Sequence, residues 1–233
     1  MFQVSKTCLL LGTLLLGVSF LAWPQNSDAD GNPQVIVSVY NDAGVSPEVL
    51  TQAEAEAAKI FARAGLEVIW SNCLSSRDRL SPDTSVPTRT GLANSASCVQ
   101  FDWPSHLALR IVHRPSNPMN EVFGVAFLSA EGTGCYSDVF FDRAKELLAD
   151  WNVDLASLLG NVAAHELGHL LLGTNSHARD GIMKARWQQE ELLKVRRDSL
   201  LFTKEQAEHM RGKLVIAHSP SRPRLVMEAR SSY

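Results

Sequence analysis

The sequence predicts an α+β fold, in which a five-stranded sheet combines with helices and a small, mostly helical part follows. Five short runs rich in β-branched and aromatic residues have the length of strands. One helical pattern separates the first two runs, and a longer, apolar one follows the fifth. The chain is long enough for one domain with a substantial core beyond its N-terminal segment.

Residues 1–29 have the features of a secretory signal peptide. Lys6 supplies a positive charge ahead of an apolar run, Cys8–Ala22, which is shorter than the ~20 residues of a membrane-spanning helix. Two small residues, Ser27 and Ala29, stand at the positions that a signal peptidase inspects. We therefore expect an exported protein, periplasmic or extracellular, with an uncleaved N-terminal anchor as the alternative.

Composition and charge argue against two classes of partner. A net charge of −3 and an isoelectric point near 6.2 give nucleic-acid binding no electrostatic support. No second apolar run is long enough to span a membrane, so we expect no stable membrane insertion after signal cleavage. Residues 30–217 are expected to form the folded domain, and residues 218–233, which are basic and contain proline, a disordered tail.

The folded part begins with a strand–helix–strand unit. Gln34–Tyr40 alternates apolar residues as a strand does, and Leu66–Trp70 is a second such run. Between them, Ser46 and Pro47 provide an N-cap and a first-turn proline for a helix that extends to about Ala64. Because such a crossover connects parallel strands, these two strands are predicted to be parallel.

Cys73 and Cys98 bracket a segment dense in Ser, Thr, Pro, Arg and Asp. A structureless loop of this length is unusual inside a compact domain. A disulfide between the two cysteines would close the loop, stabilising the fold by about 3–4 kcal/mol in the chain-entropy model, and an exported protein can keep it. Cys135 is then a free thiol. Zinc ligation by the cysteines is the alternative, although the chain contains no C-x-x-C pair.

Three further runs predict strands at Leu107–His113, Val122–Leu128 and Tyr136–Asp142. Gly124, inside the second of these runs, indicates a bulge or a close approach of another group to the backbone. A short helical stretch, Arg143–Ala149, follows the fifth strand.

The longest helical pattern starts near Leu155 and is strongly apolar. Asp154, or Asn152 just before it, is expected to cap its N-terminus. Gly173 stands where a left-handed C-cap would end it. The helix is therefore predicted to lie between these two caps.

Within this helix, residues 165–169 read His-Glu-Leu-Gly-His, an H-E-x-x-H motif. Residues four apart share one face of a helix, so His165 and His169 can bind the same metal ion. Neutral imidazoles at this spacing suit zinc. Glu166 follows the first histidine directly, where its carboxylate can act as a general base toward water.

His177 is the predicted third ligand, because the chain can turn back toward the metal once the helix has ended. Met183 follows at a distance that suits a supporting turn. Asp180 is an alternative ligand, and so is Glu190 or Glu191, which would give the two-histidine, one-glutamate set of other zinc hydrolases.

Two helices are predicted after Met183. Trp187–Leu201 has a helical composition, and Thr203 to Gln206 form a capping box that opens a short helix to about Gly212. Together they would make up a C-terminal part over residues 174–217.

These motifs resemble those of the metzincin metalloproteases, H-E-x-x-H-x-x-G-x-x-H followed by a methionine-containing turn. Here Gly173 comes four residues after His169 rather than three, and His177 four after Gly173. The resemblance implies a twisted, mixed sheet with a backing helix, an N-terminal subdomain ending near residue 173, and an edge strand at Val122–Leu128 above a substrate cleft. Residues 122–124, Val-Phe-Gly, also resemble the archaemetzincin branch, whose additional cysteine zinc site is missing here.

The expected function is that of an exported zinc metallopeptidase that cleaves internal peptide bonds of polypeptides. One catalytic Zn²⁺ would be bound by His165, His169 and His177, with Glu166 as the general base. A non-catalytic zinc-binding module on the same fold and a non-peptidase zinc hydrolase are the alternatives. The presence of Glu166 favours catalysis, because a non-catalytic site has no need of a base.

Overall fold

The structure, a computed structural model, describes residues 31–74, 98–113, 122–151 and 153–219. The predicted signal peptide and nearly all of the predicted tail lie outside these residues. Within the described part of the chain, no helix is both long enough and apolar enough to cross a membrane.

The core of the fold is one five-stranded mixed sheet in the order β2-β1-β3-β5-β4, as predicted for an α+β protein. β1 pairs in parallel with β2 and β3, and β3 pairs in parallel with β5. β4 is antiparallel to β5 and forms an edge of the sheet. The strands are β1 (Gln34–Asn41), β2 (Glu67–Cys73), β3 (His106–Val112), β4 (Gly124–Phe127) and β5 (Tyr136–Phe140).

Five helices accompany the sheet within the described residues. The first helix connects two parallel strands, as predicted. At its start, the Ser46 hydroxyl accepts a hydrogen bond from the Val49 N–H at 3.4 Å. The helix ends before Gly65, whose φ is +73°. The helices are α1 (Pro47–Arg63), α2 (Phe141–Trp151), α3 (Leu155–Leu172), α4 (Gln189–Val195) and α5 (Lys204–His218).

Helix α3 lies at the centre of the domain, and its predicted caps are confirmed. The Asp154 carboxylate accepts from the Ser157 N–H at 2.9 Å, and Gly173 ends the helix with φ of +68°. Gly160 lets α3 pack closely against α1, since a Cβ there would lie 2.5 Å from the Ala53 carbonyl oxygen. Both helices contribute to the main apolar core together with the sheet.

Side chains from two distant segments donate hydrogen bonds to carbonyls at the C-terminal end of α3. The indole N–H of Trp103 donates to the Leu170 carbonyl at 2.9 Å. The ammonium of Lys213, on α5, donates to the Leu172 carbonyl at 2.7 Å. These donors satisfy carbonyls that the last turn of a helix leaves without an internal partner, so they hold the C-terminal end of α3 in place.

Several predicted boundaries were wrong, because neighbouring elements override local composition. β2 continues beyond Trp70 to Cys73, since Ser71 and Asn72 are paired with β1 in the ladder. β5 ends at Phe140 rather than Asp142, where the chain turns directly into α2. The remaining strand and helix starts differ from prediction by only one or two residues.

The two C-terminal helices also differ from prediction. α4 is only seven residues long instead of spanning Trp187–Leu201: the chain is extended at Gln188, and Asp198 takes a left-handed conformation with φ of +50°. α5 passes through Gly212 and continues to His218, because Leu214 is fully buried and anchors the added turn.

The predicted disulfide is present between Cys73, at the end of β2, and Cys98, before β3. Among the cysteines in the described ranges, Cys135 is the free one, as expected, and it is half-buried. Both bonded cysteines are buried in a small cluster with Tyr40 and Ala108. The Tyr40 hydroxyl donates to the Cys98 carbonyl. The disulfide and this hydrogen bond together connect β1, β2 and the segment before β3.

We predict that Cys73→Ser with Cys98→Ser lowers the free energy of unfolding by about 3–4 kcal/mol, because the unfolded chain regains the freedom of a long loop. Chemical denaturation followed by circular dichroism measures this loss. Cys135→Ser is the matched control and should change stability by less than about 1 kcal/mol. A linkage of Cys135 to either partner in non-reduced peptide mapping would contradict the pairing.

Candidate metal centre

Three histidines converge at one point beside the sheet. His165 and His169 project from one face of α3, and His177 reaches them from the loop that follows. One ring nitrogen from each lies within 4.8 Å of the others, and the Nε2 atoms of His165 and His169 are 3.1 Å apart. The structure therefore brings together the three residues that the sequence singled out as metal ligands.

Backbone carbonyls orient the two helical histidines. Nδ1 of His165 donates to the Ile182 carbonyl at 2.6 Å, and Nδ1 of His169 donates to the Thr174 carbonyl at 2.8 Å. Because these bonds hold the ring proton on Nδ1, both Nε2 atoms present lone pairs toward each other. Two facing lone pairs repel unless a cation lies between them.

The donor set fits zinc. Two nitrogen ligands of a tetrahedral zinc ion stand roughly 3.3–3.4 Å apart, given a metal–nitrogen distance of about 2.0–2.1 Å, and the observed separation of 3.1 Å is close to this. Burial lowers the pKa of His165 to about 3 and also lowers the pKa of His169 and of His177. The rings therefore stay neutral at physiological pH, which is the form that binds a metal.

The spacing of eight positions between His169 and His177 follows from the length of α3. α3 keeps its helical form to Leu172, so its C-cap glycine falls at position 173. Thr174 is then used to orient His169, and the Thr174 hydroxyl accepts from the Ser176 N–H at 3.1 Å in a tight turn. The residues between Gly173 and His177 complete the return of the chain to the metal site.

The loop after His177 folds back beneath the histidines. The Ala178 N–H donates to the Met183 carbonyl at 2.8 Å, and Gly181 makes the turn with φ of +76°. Met183 is fully buried. A Cβ at Gly168 would lie 2.8 Å from its sulfur, so this glycine admits the methionine against α3. The turn thereby places the Ile182 carbonyl, the partner of His165.

The alternative ligands point elsewhere. Glu191 is buried and bonded to Lys184 at 2.6 Å, whereas Glu190 is exposed and paired with Lys194 at 2.7 Å. Asp180 is exposed in the turn. Among the described residues, the group able to hold a metal ion contains only the three histidines.

Glu166 lies beside this centre and is 5% exposed. Gly124 makes room for it, since a Cβ at position 124 would lie 2.8 Å from the Glu166 Oε1 atom and 2.5 Å from the Asp138 carbonyl oxygen. This is the close approach that the sequence indicated for Gly124. Burial, with a smaller effect from the charge of Asp138, raises the pKa of Glu166 to about 8. A carboxyl group with such a pKa can exchange a proton near neutral pH, and a cation bound by the histidines would favour its ionised form, which is the form that accepts a proton.

A cleft of about 220 Å³ opens over the histidines and Glu166. The edge strand β4, the preceding Phe123 and Trp187 line this cleft. The Phe123 and Trp187 rings stack with their centroids 5.8 Å apart, and Trp187 also contacts the ring of His165 edge-on at 5.8 Å. The cleft therefore exposes the three histidines and the carboxylate to one ligand-sized space.

The sequence did not identify Trp187 or Lys184 as residues of the cleft. Trp187 was assigned to a helix, and Lys184 follows the buried Met183 directly. A large aromatic residue shortly after a candidate ligand turn was a usable signal for Trp187. No sequence pattern indicated that the Lys184 side chain lines the cleft.

Comparison with known proteins finds similar solved structures at low sequence identity. No family model matches the sequence, and no curated protein matches it either. An archaemetzincin from Methanopyrus kandleri is 18% identical, with a TM-score of 0.47 over 78% of this chain and 97% of its own. A zinc-dependent peptidase from Methanocorpusculum labreanum is 16% identical, with a TM-score of 0.44 over 75% of this chain and 99% of its own.

We predict that His177→Ala weakens zinc binding by more than about 100-fold, since loss of a direct ligand exceeds the 10–100-fold cost of losing a group that orients one. Isothermal titration of the metal-stripped protein with zinc measures the effect. Glu190→Ala and Glu191→Gln, made separately, are the controls and should bind zinc as the parent does. If His177→Ala bound zinc with the affinity of the parent while either glutamate variant bound it more weakly, that glutamate rather than His177 would be the third ligand.

Proposed function

We propose that this protein is a zinc-dependent endopeptidase. The observation that carries the proposal is the convergence of three neutral imidazoles beside one buried carboxyl group, in a cleft lined in part by the edge strand β4. A purely structural zinc site is closed by four protein ligands, whereas the described residues supply three here.

The Nε2 atoms of His165 and His169, together with a ring nitrogen of His177, would hold the zinc ion. Zinc in a three-histidine site supplies Lewis acidity, which activates water near neutral pH and polarises carbonyl groups. The carbonyls of Ile182 and Thr174 keep the two helical rings in the correct tautomer and orientation throughout.

Glu166 would carry the proton during peptide hydrolysis. Its carboxylate adjoins the histidines and lines the same cleft, so it can take a proton from the attacking water and deliver it to the departing amine. The close contact with Gly124 restricts where the side chain can lie. This restriction keeps the base oriented toward the reacting atoms, which favours catalysis by positioning.

The edge strand β4 would align the substrate. β4 is hydrogen-bonded to β5 along one side. Its other side is an edge of the sheet, and residues of β4 line the cleft. Such an edge offers backbone N–H and C=O groups to an extended peptide, which can add to the sheet as a further strand. This geometry favours a polypeptide substrate over a small non-peptide ester or amide.

We predict that Glu166→Ala retains zinc but loses peptide cleavage by about 10²–10⁴-fold, the usual contribution of a general base. Cleavage of casein and of a fluorogenic peptide library by the zinc-loaded protein measures turnover. A chelator should abolish the parent activity, and added zinc should restore it.

The exposed Glu190→Ala is the matched control, because that residue lies on a surface ion pair away from the cleft. If Glu166→Ala cleaved peptides at close to the parent rate, Glu166 would not be the general base. A parent protein that binds zinc and cleaves no peptide would instead be a non-catalytic zinc-binding module.

We also propose that the protein is exported. The signal-peptide features of residues 1–29 and the Cys73–Cys98 disulfide support this, since such bonds persist in oxidising compartments. N-terminal sequencing of the protein recovered from the periplasm or medium should begin near Asp30. Recovery of the intact N-terminus in a membrane fraction would favour the uncleaved anchor, and recovery from the cytoplasm would contradict export.

A further inference from the structure

Lys184 is the one lysine or arginine among the described residues that line the cleft. The other charged lining residue is Glu166, and much of the remaining surface is formed by apolar groups of β4, Val162, Ala185 and Trp187. In a mainly apolar binding site, the few polar groups decide which ligand groups are accepted. Lys184 is therefore a candidate for substrate selection.

Lys184 is held in place by its own turn and by a buried partner. Its N–H donates to the Gly181 carbonyl at 3.2 Å, and its backbone is bridged to Ala178, the residue after His177. Its ammonium donates to Glu191 Oε1 at 2.6 Å. The second oxygen, Oε2, accepts from the Gln188 N–H at 2.9 Å, so Glu191 is fixed to the start of α4.

The two members of this ion pair differ in access to solvent. The Glu191 side chain is 3% exposed, whereas that of Lys184, a residue that lines the cleft, is 29% exposed. Burial alone would raise the pKa of Glu191, but the hydrogen bonds from Lys184 and from the Gln188 backbone outweigh it and lower that pKa. Glu191 thus remains an ionised support behind Lys184.

An ammonium group has three donor hydrogens, and among the described residues the Lys184 ammonium has one acceptor, Glu191. Its side chain is partly exposed and belongs to a residue that lines the cleft, so the other donors can bind a ligand group that reaches them from there. A carboxylate is the peptide group that gains most from them, because charge-assisted hydrogen bonds are about twice as strong as neutral ones. A cationic substrate side chain can accept none of these hydrogen bonds.

We propose that Lys184 is a specificity-determining residue that selects peptides placing a carboxylate in this cleft, an inference that rests on the proposed peptidase function. The carboxylate can belong to an acidic side chain near the scissile bond or to the free C-terminus of a short peptide. Both present the same chemistry to the ammonium, and the substrates used below separate them.

The test compares kcat/KM for fluorogenic peptides that differ at one position at a time, with Glu replaced by Gln. We expect the best acidic position to be preferred by about fivefold, as for one partly exposed ion pair. A second series has free or amidated C-termini at fixed sequence. Preference for Glu assigns the carboxylate to a side chain, whereas preference for the free terminus assigns it to the chain end.

Three variants connect this preference with Lys184. Lys184→Met should bring the acidic-to-neutral ratio to about one, and Lys184→Arg should keep it above one because the charge remains. Glu191→Gln should raise the ratio, since the neutralising charge behind Lys184 is removed while an acceptor oxygen stays. Lys194→Met is the matched control: this lysine forms an ion pair with Glu190 on the exposed side of α4, and the ratio should not change.

The outcomes separate this inference from the function on which it rests. A zinc-loaded parent that cleaves no peptide overturns the peptidase function and the inference with it. Cleavage without any carboxylate preference, or a preference that survives Lys184→Met, overturns the inference alone. If Lys184→Met does not fold, Glu191→Gln decides: an unchanged or lowered ratio rejects the role of Lys184.

Discussion

The arrangement of the candidate metal centre depends on two hydrogen bonds from imidazole Nδ1 atoms to backbone carbonyls. The bond from His165 to Ile182 and the bond from His169 to Thr174 fix the tautomer of each ring and direct both Nε2 atoms to one point. A side-chain partner could rotate away, whereas a backbone carbonyl moves only with its loop. The turn around Met183 and the cap at Gly173 therefore matter because they place these carbonyls.

The same turn connects the metal centre to the walls of the cleft. The Ile182 carbonyl also accepts from the indole N–H of Trp187 at 3.3 Å, and the Trp187 ring stacks on Phe123 next to the edge strand. Lys184 extends from this turn to the buried Glu191. The turn around Met183 thus orients His165 and contributes residues to the cleft, and it is itself packed against α3 at Gly168.

Local chemistry made much of this predictable. The caps at Asp154 and Gly173, the motif on α3 and the parallel strands around α1 all depend on neighbours close in sequence, so they could be inferred from the chain. The ends of β2 and α5 depend instead on pairing with β1 and on burial of Leu214, which no local pattern encodes. The positions of Lys184 and Trp187 in the cleft likewise depend on how the turn packs against the rest of the domain.

The hydrogen bond from Lys213 to the end of α3 connects the candidate metal centre with the order in which the chain is synthesised. A chain leaving the ribosome presents His165, His169 and His177 dozens of residues before the lysine that satisfies the Leu172 carbonyl appears. Until then, the last turn of α3 has the hydrogen bond from Trp103 to the Leu170 carbonyl but not the one from Lys213. The helix that carries His165 and His169 thus gains its full set of contacts only once the final described helix has been made and has docked.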